Sequence, residues 1–174
     1  MQPALRLAWC LRRRPKETQL SGLIQVFDMK SEAESCRIVA DLDGSIAKWV
    51  CDGLKEDTDW IGSNVTMGVI LGGELIAGII FNDVRHGRDV WLTIYSTDKR
   101  WCNRRVLRCV FDLAFRIMDC KRVSLFVSKD NEPSIKLVEG LGFVREGLLR
   151  QYRDDGNDCY VYGMLKSDCI WRSK

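Results

Sequence analysis

Histidine is nearly absent from this chain: His86 stands alone among 174 residues. A metal centre or catalytic triad built on imidazole therefore has at most one ring to draw on. Proline occurs only at Pro3, Pro15 and Pro133, so the middle of the chain carries no such breaker. No apolar run approaches the roughly 20 residues that a membrane-spanning helix needs. The short apolar stretch at residues 5–11 precedes Arg12, Arg13 and Arg14, whereas a secretory signal carries its positive charge first. The expected setting is therefore the cytoplasm, with no membrane partner.

Cysteine is plentiful but lacks a pattern. The eight cysteines (Cys10, Cys36, Cys51, Cys102, Cys109, Cys120, Cys159, Cys169) include no CxxC pair. They are expected to be small buried thiols in a reducing compartment, neither a disulfide framework nor a metal site. Excess charge is also scarce, at +3 overall. The exception is local: Lys99, Arg100, Arg104, Arg105 and Arg108 crowd one short segment. Such a cluster is either a solvated helix face or an anion site.

With 46% hydrophobic and 29% charged residues, the composition is that of one ordinary globular domain. Residues 1–30 are expected to form an irregular basic extension, with an apolar run at 23–27 that reads as a strand or an added helix. Residues 31–174 form the domain proper. Within it, residues 38–40 suggest a strand. Asp43 or Ser45 then caps a helix carrying Ile46, Ala47, Trp49, Val50 and Leu54 at helical spacing. Residues 65–71 and 75–81 form a hairpin about Gly72 and Gly73, and residues 89–95 add a third antiparallel strand after a loop over 82–88.

The clearest helix carries Val106, Leu107, Val110, Phe111, Leu113, Ala114, Ile117 and Met118 on one face and starts just after Asn103. No hairpin signal follows it, so it crosses over to a parallel strand at residues 122–127. Asn131 caps a short helix with Pro133 in its first turn and Gly142 at its close. Two last strands, from 143 towards Tyr152 and from 159 to 165, flank a turn at 154–157. The expected fold class is α+β, a mixed α/β sheet of about seven strands.

The segment Asn131-Glu-Pro-Ser134-Ile-Lys-Leu-Val138-Glu-Gly-Leu-Gly142-Phe143-Val-Arg-Glu146-Gly147 resembles the GNAT acyltransferase family. There Asn, then Ser or Ala, leads a helix ending in Leu-Gly-Phe and then Glu-Gly. The continuation through Arg150, Asp158 and Tyr162-Gly163-Met164-Leu165 is similar to the branch of ribosomal-protein N-terminal acetyltransferases. It also resembles small GNAT proteins of phages and prophages, including an acidic residue and cysteine shortly before Trp171. The resemblance covers residues 37–171.

It implies an acyl-CoA-dependent N-acyltransferase, with acetyl-CoA as donor and an unidentified amine as acceptor. Two alternatives accompany it: a phage-type GNAT enzyme that modifies a nucleobase or nucleic acid, and a GNAT-fold interaction module that has lost catalysis. The resemblance also implies that the parallel pair at 91–95 and 122–127 splays to receive the pantetheine arm, with Ile94 and Tyr95 along it and Asn131 and Ser134 nearby. The pyrophosphate is expected where backbone N–H groups and the helix dipole meet, in the loop from Asp98 to Arg105. That loop departs from the family's glycine-rich pattern, placing Trp101 at the first small position and Asn103 at the second. Lys99, Arg100, Arg104 and Arg105 are expected to supply charge-assisted phosphate contacts in compensation.

Acetyl transfer to an amine requires a neutral attacking nitrogen, stabilisation of the oxyanion and an acid for the leaving thiolate. The family's tyrosine, four residues after Ser134, is replaced by Val138. The remaining candidates are Tyr95 and Ser96 at the end of a strand, and Asp83 or His86 in the preceding loop. Each has a plainer reading: Tyr95 as a core aromatic, Asp83 as a turn residue, His86 as an exposed loop side chain.

Overall fold

The computed structural model describes residues 36–41 and 43–173. The extension expected at residues 1–30, with Cys10, lies outside them. In chain order the elements are β1 (Arg37–Ala40), α1 (Ser45–Leu54), β2 (Asn64–Leu71), β3 (Glu74–Arg85), β4 (Asp89–Ser96), α2 (Arg104–Asp112), β5 (Arg122–Ser128), α3 (Glu132–Leu141), β6 (Val144–Leu149) and β7 (Cys159–Leu165). A 3-10 turn, Lys99–Trp101, leads into α2, and a π segment, Leu113–Ile117, extends it.

The strands form one sheet in the order β1-β2-β3-β4-β5-β7-β6. All neighbours are antiparallel except β4 and β5, as a helical crossover between them demands. Gly72 and Gly73, at φ 60° and 90°, make the tight β2–β3 turn, a geometry in which a Cβ is unfavourable.

Alternation along each strand divides the core between two faces. Val106, Leu107, Val110 and Phe111 of α2 join Val138 and Leu141 of α3 in the main cluster, over Ile79, Phe81, Val90, Leu92, Val123 and Leu125. Ala47, Val50 and Cys51 of α1 cover the opposite face at Ile80. That face is shaved to glycine where α1 approaches: a Cβ on Gly78 would meet Val50 Cγ2 at 2.4 Å.

Two local expectations are corrected. Neither Asp43 nor Ser45 is the cap residue of α1, although Asp43 Oδ1 accepts from the Ser45 amide at 3.0 Å. Gly44 occupies the cap at φ 79°, and the Asp41 carboxylate takes up the amides of Gly44 and Ala47 at 3.0 and 2.9 Å. The loop expected over 82–88 is mostly strand, because β3 runs on to Arg85. The register shifts between Asn82 and Arg85, with Asp83 at φ 50°. Such a bulge strengthens local twist.

The seven described cysteines are free thiols. Burial raises six of them, Cys51, Cys102, Cys109, Cys120, Cys159 and Cys169, the Cys120 thiol to about 11, so at neutral pH these six are protonated packing groups. Among the described residues no helix is long and apolar enough to cross a membrane, and no cluster of His, Cys, Asp and Glu has metal-binding geometry.

Candidate active site in the opening between β4 and β5

The parallel pair β4/β5 is bonded over only three positions, Asp89↔Arg122, Val90↔Val123 and Trp91↔Ser124. Beyond Trp91, β4 continues against β3 as far as Ser96, and β5 continues against β7 as far as Ser128. A gap therefore opens in mid-sheet, level with the stretch of β3 from Ala77 to Phe81.

The backbone groups facing the gap follow from alternation. The Arg88 carbonyl accepts from the Lys121 and Arg122 amides, and the Thr97 amide donates to Ile76. Even-numbered residues of β4 therefore turn their polar groups toward β5, and beyond the paired stretch this exposes the N–H and C=O of Ile94. On β5 the Lys129 amide turns to Asp158 on the β7 side. Phe126 consequently faces the gap from the other strand. An extended amide-bearing chain can be held here much as an added strand would be.

Helix starts flank the same ends of the strands. Asn103 caps α2, its Oδ1 accepting from the amides of Arg105 and Val106 at 3.1 Å each. Its Nδ2 donates to the Arg100 carbonyl at 3.0 Å. Asn131 caps α3, accepting from the Ser134 amide at 3.2 Å. Two of the loop amides expected to receive phosphate are thus already bonded, that of Arg105 to Asn103 and that of Arg100 to Asp98. Arg100 also binds its neighbour Asp98, with Nε 2.9 Å from Oδ2. This pairing and the Arg100 amide hold the Asp98 carboxyl down at about 2. Arg104 and Arg105 are exposed at the head of α2. Trp101, which replaces a small residue, is 2% exposed. Its indole belongs to the main core, so it does not cover the loop's outer surface.

The catalytic candidates are not gathered at one point. Ser96 and Asp83 lie toward opposite ends of β4. Asp83 follows Asn82, which pairs with Trp91, and five residues of strand, roughly 17 Å, separate Trp91 from Ser96. Tyr95 turns its ring onto α1, edge-on to Trp49 with centroids 5.0 Å apart. His86 is exposed in the β3–β4 turn.

Sequence reading missed a wall of aromatic rings across the gap on the α1 face. Trp91 stacks on Phe126 at 4.2 Å, and Phe126 meets Tyr152 at 4.7 Å. Tyr152 comes from the β6–β7 connection, which also sends Arg153 to Glu56 at 3.4 Å. Burial, followed by the nearby Asp83 and Glu56 carboxylates, raises the Tyr152 phenol above its ordinary value. The only available signal was an aromatic at an alternate position of β5, which reads equally well as core. A shallow cavity of about 470 Å³ lined by Lys129, Asp130, Gly156, Asn157 and Asp158 lies beyond the end of β5. Its charges are satisfied among themselves, Lys129 with Asp158 and Asp130 with Asn157.

No family model matches the chain. A curated relative, the uncharacterized N-acetyltransferase p20 of Bacillus licheniformis, is 36% identical over 62 residues, covering 34% of this chain and 35% of the relative. The match thus spans about a third of that relative's length. Among solved structures, a mutant spermidine N-acetyltransferase from Vibrio cholerae aligns with a TM-score of 0.63 at 16% identity, over 76% of this chain and 94% of that one. The same enzyme in complex with CoA and spermine gives 0.61 at 16% identity, over 76% and 96%. With its sheet order and its single parted parallel pair, this chain has the GNAT acetyltransferase fold.

Proposed function

We propose that the protein is an acyl-CoA-dependent N-acyltransferase that transfers acetyl from acetyl-CoA to an amine in a ternary complex. The observation that carries this reading is the parting of β4 and β5 after Trp91↔Ser124, with helix starts at Asn103 and Asn131 beside it. The similarity to N-acetyltransferases supports the same reaction class.

In this reading Ile94 and Phe126 hold the pantetheine amides through their free backbone groups. Arg104 and Arg105 meet the phosphates, and Arg100 joins them once it leaves Asp98. The donor supplies the thioester. An ammonium acceptor first loses a proton toward Asp83 and solvent, and the neutral nitrogen attacks the carbonyl. A C–N bond forms, the C–S bond breaks, the thiolate receives a proton, and the proton lost by the acylated nitrogen restores the donor that gave it. Tyr152 is the proton donor best suited to the thiolate. Its phenol stays protonated at neutral pH, and its ring rests on Phe126 beside the gap. Tyr95 and Ser96 serve packing and the strand end.

The test is release of free CoA thiol when acetyl-CoA is presented with a broad panel of amines, peptides and nucleic acids. Amine-dependent release is expected, and its absence across the panel contradicts the proposal. One observation favours a second reading, a non-catalytic GNAT-fold module: Asn103 and Asp98 occupy two amides of the phosphate loop, those of Arg105 and Arg100. Such a module would release no thiol with any acceptor.

A further inference from the structure

We infer that the α1 face of the opening is an acceptor site for a small aliphatic amine in its cationic form, walled by Trp91, Phe126 and Tyr152 and bordered by Asn82, Asp83 and Glu56. This rests on the acyltransferase reading and specifies its acceptor.

The register sets the wall. Asn82 pairs with Trp91, and Trp91 with Ser124, so Asn82, Trp91, Ser124 and Phe126 all stand on the sheet face opposite α2 and α3. A donor arm held by the strand backbones presents its carbonyl between the two faces, and the α1 side is open to a second substrate.

The wall is unusual for packing alone. Phe126 is 37% exposed and Tyr152 51% exposed, although their rings lie in direct contact. Aromatic faces carry negative potential and attract cations lying over them. Asp83 is exposed beside the wall, and Glu56 reaches the β6–β7 connection. A cation already sits on one of these carboxylates, since Arg153 meets Glu56. An incoming ammonium would displace or share that contact.

The independent observation is Asn82. It is 7% exposed, and its Oδ1 has no hydrogen-bond partner among the described residues. A buried carbonyl without a donor is costly, and here it stands directly across from Trp91. An ammonium offers three donors and no acceptor, which suits an unpaired amide oxygen on the same sheet face as Trp91 and Phe126. A carboxylate ligand would add repulsion from Asp83 and Glu56, and a neutral alcohol would leave the Asp83 charge unmet.

The experiment uses the full chain with CoA present and 1,4-diaminobutane as probe, read by tryptophan fluorescence and calorimetry, with n-butyrate as the charge-reversed control. Saturable binding of the diamine and none of butyrate is expected. The double variant Glu56→Gln/Asp83→Asn changes two exposed side chains, and it should weaken diamine binding about tenfold or more while acetyl-CoA binds as in the parent. Tyr152→Ala should weaken the diamine in the same sense. Acetyl-CoA binding without diamine binding, or a double variant that binds diamine as tightly as the parent, overturns this inference and leaves the acyltransferase reading standing. Failure to bind acetyl-CoA overturns both.

Discussion

Gly53 in α1 lies against the ring of Tyr95 in β4 so closely that a Cβ on Gly53 would fall 2.2 Å from Cε1 and 2.4 Å from Cζ. With Trp49, one turn earlier in α1, also edge-on to it, the ring locks α1 to the sheet beside the opening. Gly53→Ala should therefore destabilise the protein even though alanine is the better helix former by about 1 kcal/mol. Overpacking costs about 1–3 kcal/mol, and a net loss of roughly 1 kcal/mol is expected in chemical denaturation. Adding Tyr95→Ala should make the two changes strongly non-additive. Tyr95→Phe keeps the ring and should leave turnover within a few-fold. A large loss there would restore the hydroxyl to a catalytic role.

Phe111 is 1% exposed and meets Phe115 and Phe143 at centroid distances of 6.0 and 6.1 Å. Phe111→Ala should cost about 3–5 kcal/mol as a large-to-small core change. A denaturation midpoint near that of the parent would contradict the assignment of this helical face to the core.

Most of this fold was legible in the sequence because its signals are local. Alternation set the strands, Gly72 and Gly73 the hairpin, and the apolar face from Val106 to Phe111 the crossover helix. Asn103 and Asn131 proved to be caps. The site was less legible, because its members meet only through register. Nothing in the spacing of Asn82, Trp91, Phe126 and Tyr152 announces that three strands and a connection bring them together. Trp101 was half legible for a related reason: the motif fixes its position in the loop, while the burial of its indole in the main core depends on packing. Asp41 was overlooked as the anchor of α1 because its contacts skip past the nearer polar residues Asp43 and Ser45.

The phosphate loop should show a distinctive acid response. Asp98 titrates at about 2 against an ordinary 3.8, first through its hydrogen bonds with the Arg100 side chain and amide. A depressed carboxylate stabilises the folded state fully above the unfolded value and loses that contribution as pH falls through the folded one. The stability difference between the parent and Asp98→Asn should therefore be constant above about pH 4 and vanish as pH falls toward 2. A difference that persists undiminished at pH 2 would show that Asp98 acts through shape and not charge.

Arg104→Ala and Arg105→Ala should each weaken acetyl-CoA binding by about 1.5–3 kcal/mol, the range for a hydrogen bond to a charged group. The loss should shrink for a donor truncated before the pyrophosphate. Arg100→Ala should have a smaller effect, because Asp98 competes for its guanidinium. Equal binding by all three variants would assign the basic cluster to the surface or to a nucleic-acid partner.

Isothermal titration of the full chain with acetyl-CoA tests the central claim most directly. Occupation of the opening between β4 and β5 predicts saturable one-to-one binding that weakens when the pyrophosphate end is removed. No binding heat up to high micromolar acetyl-CoA would contradict the acyltransferase account and leave a GNAT-fold module of another kind.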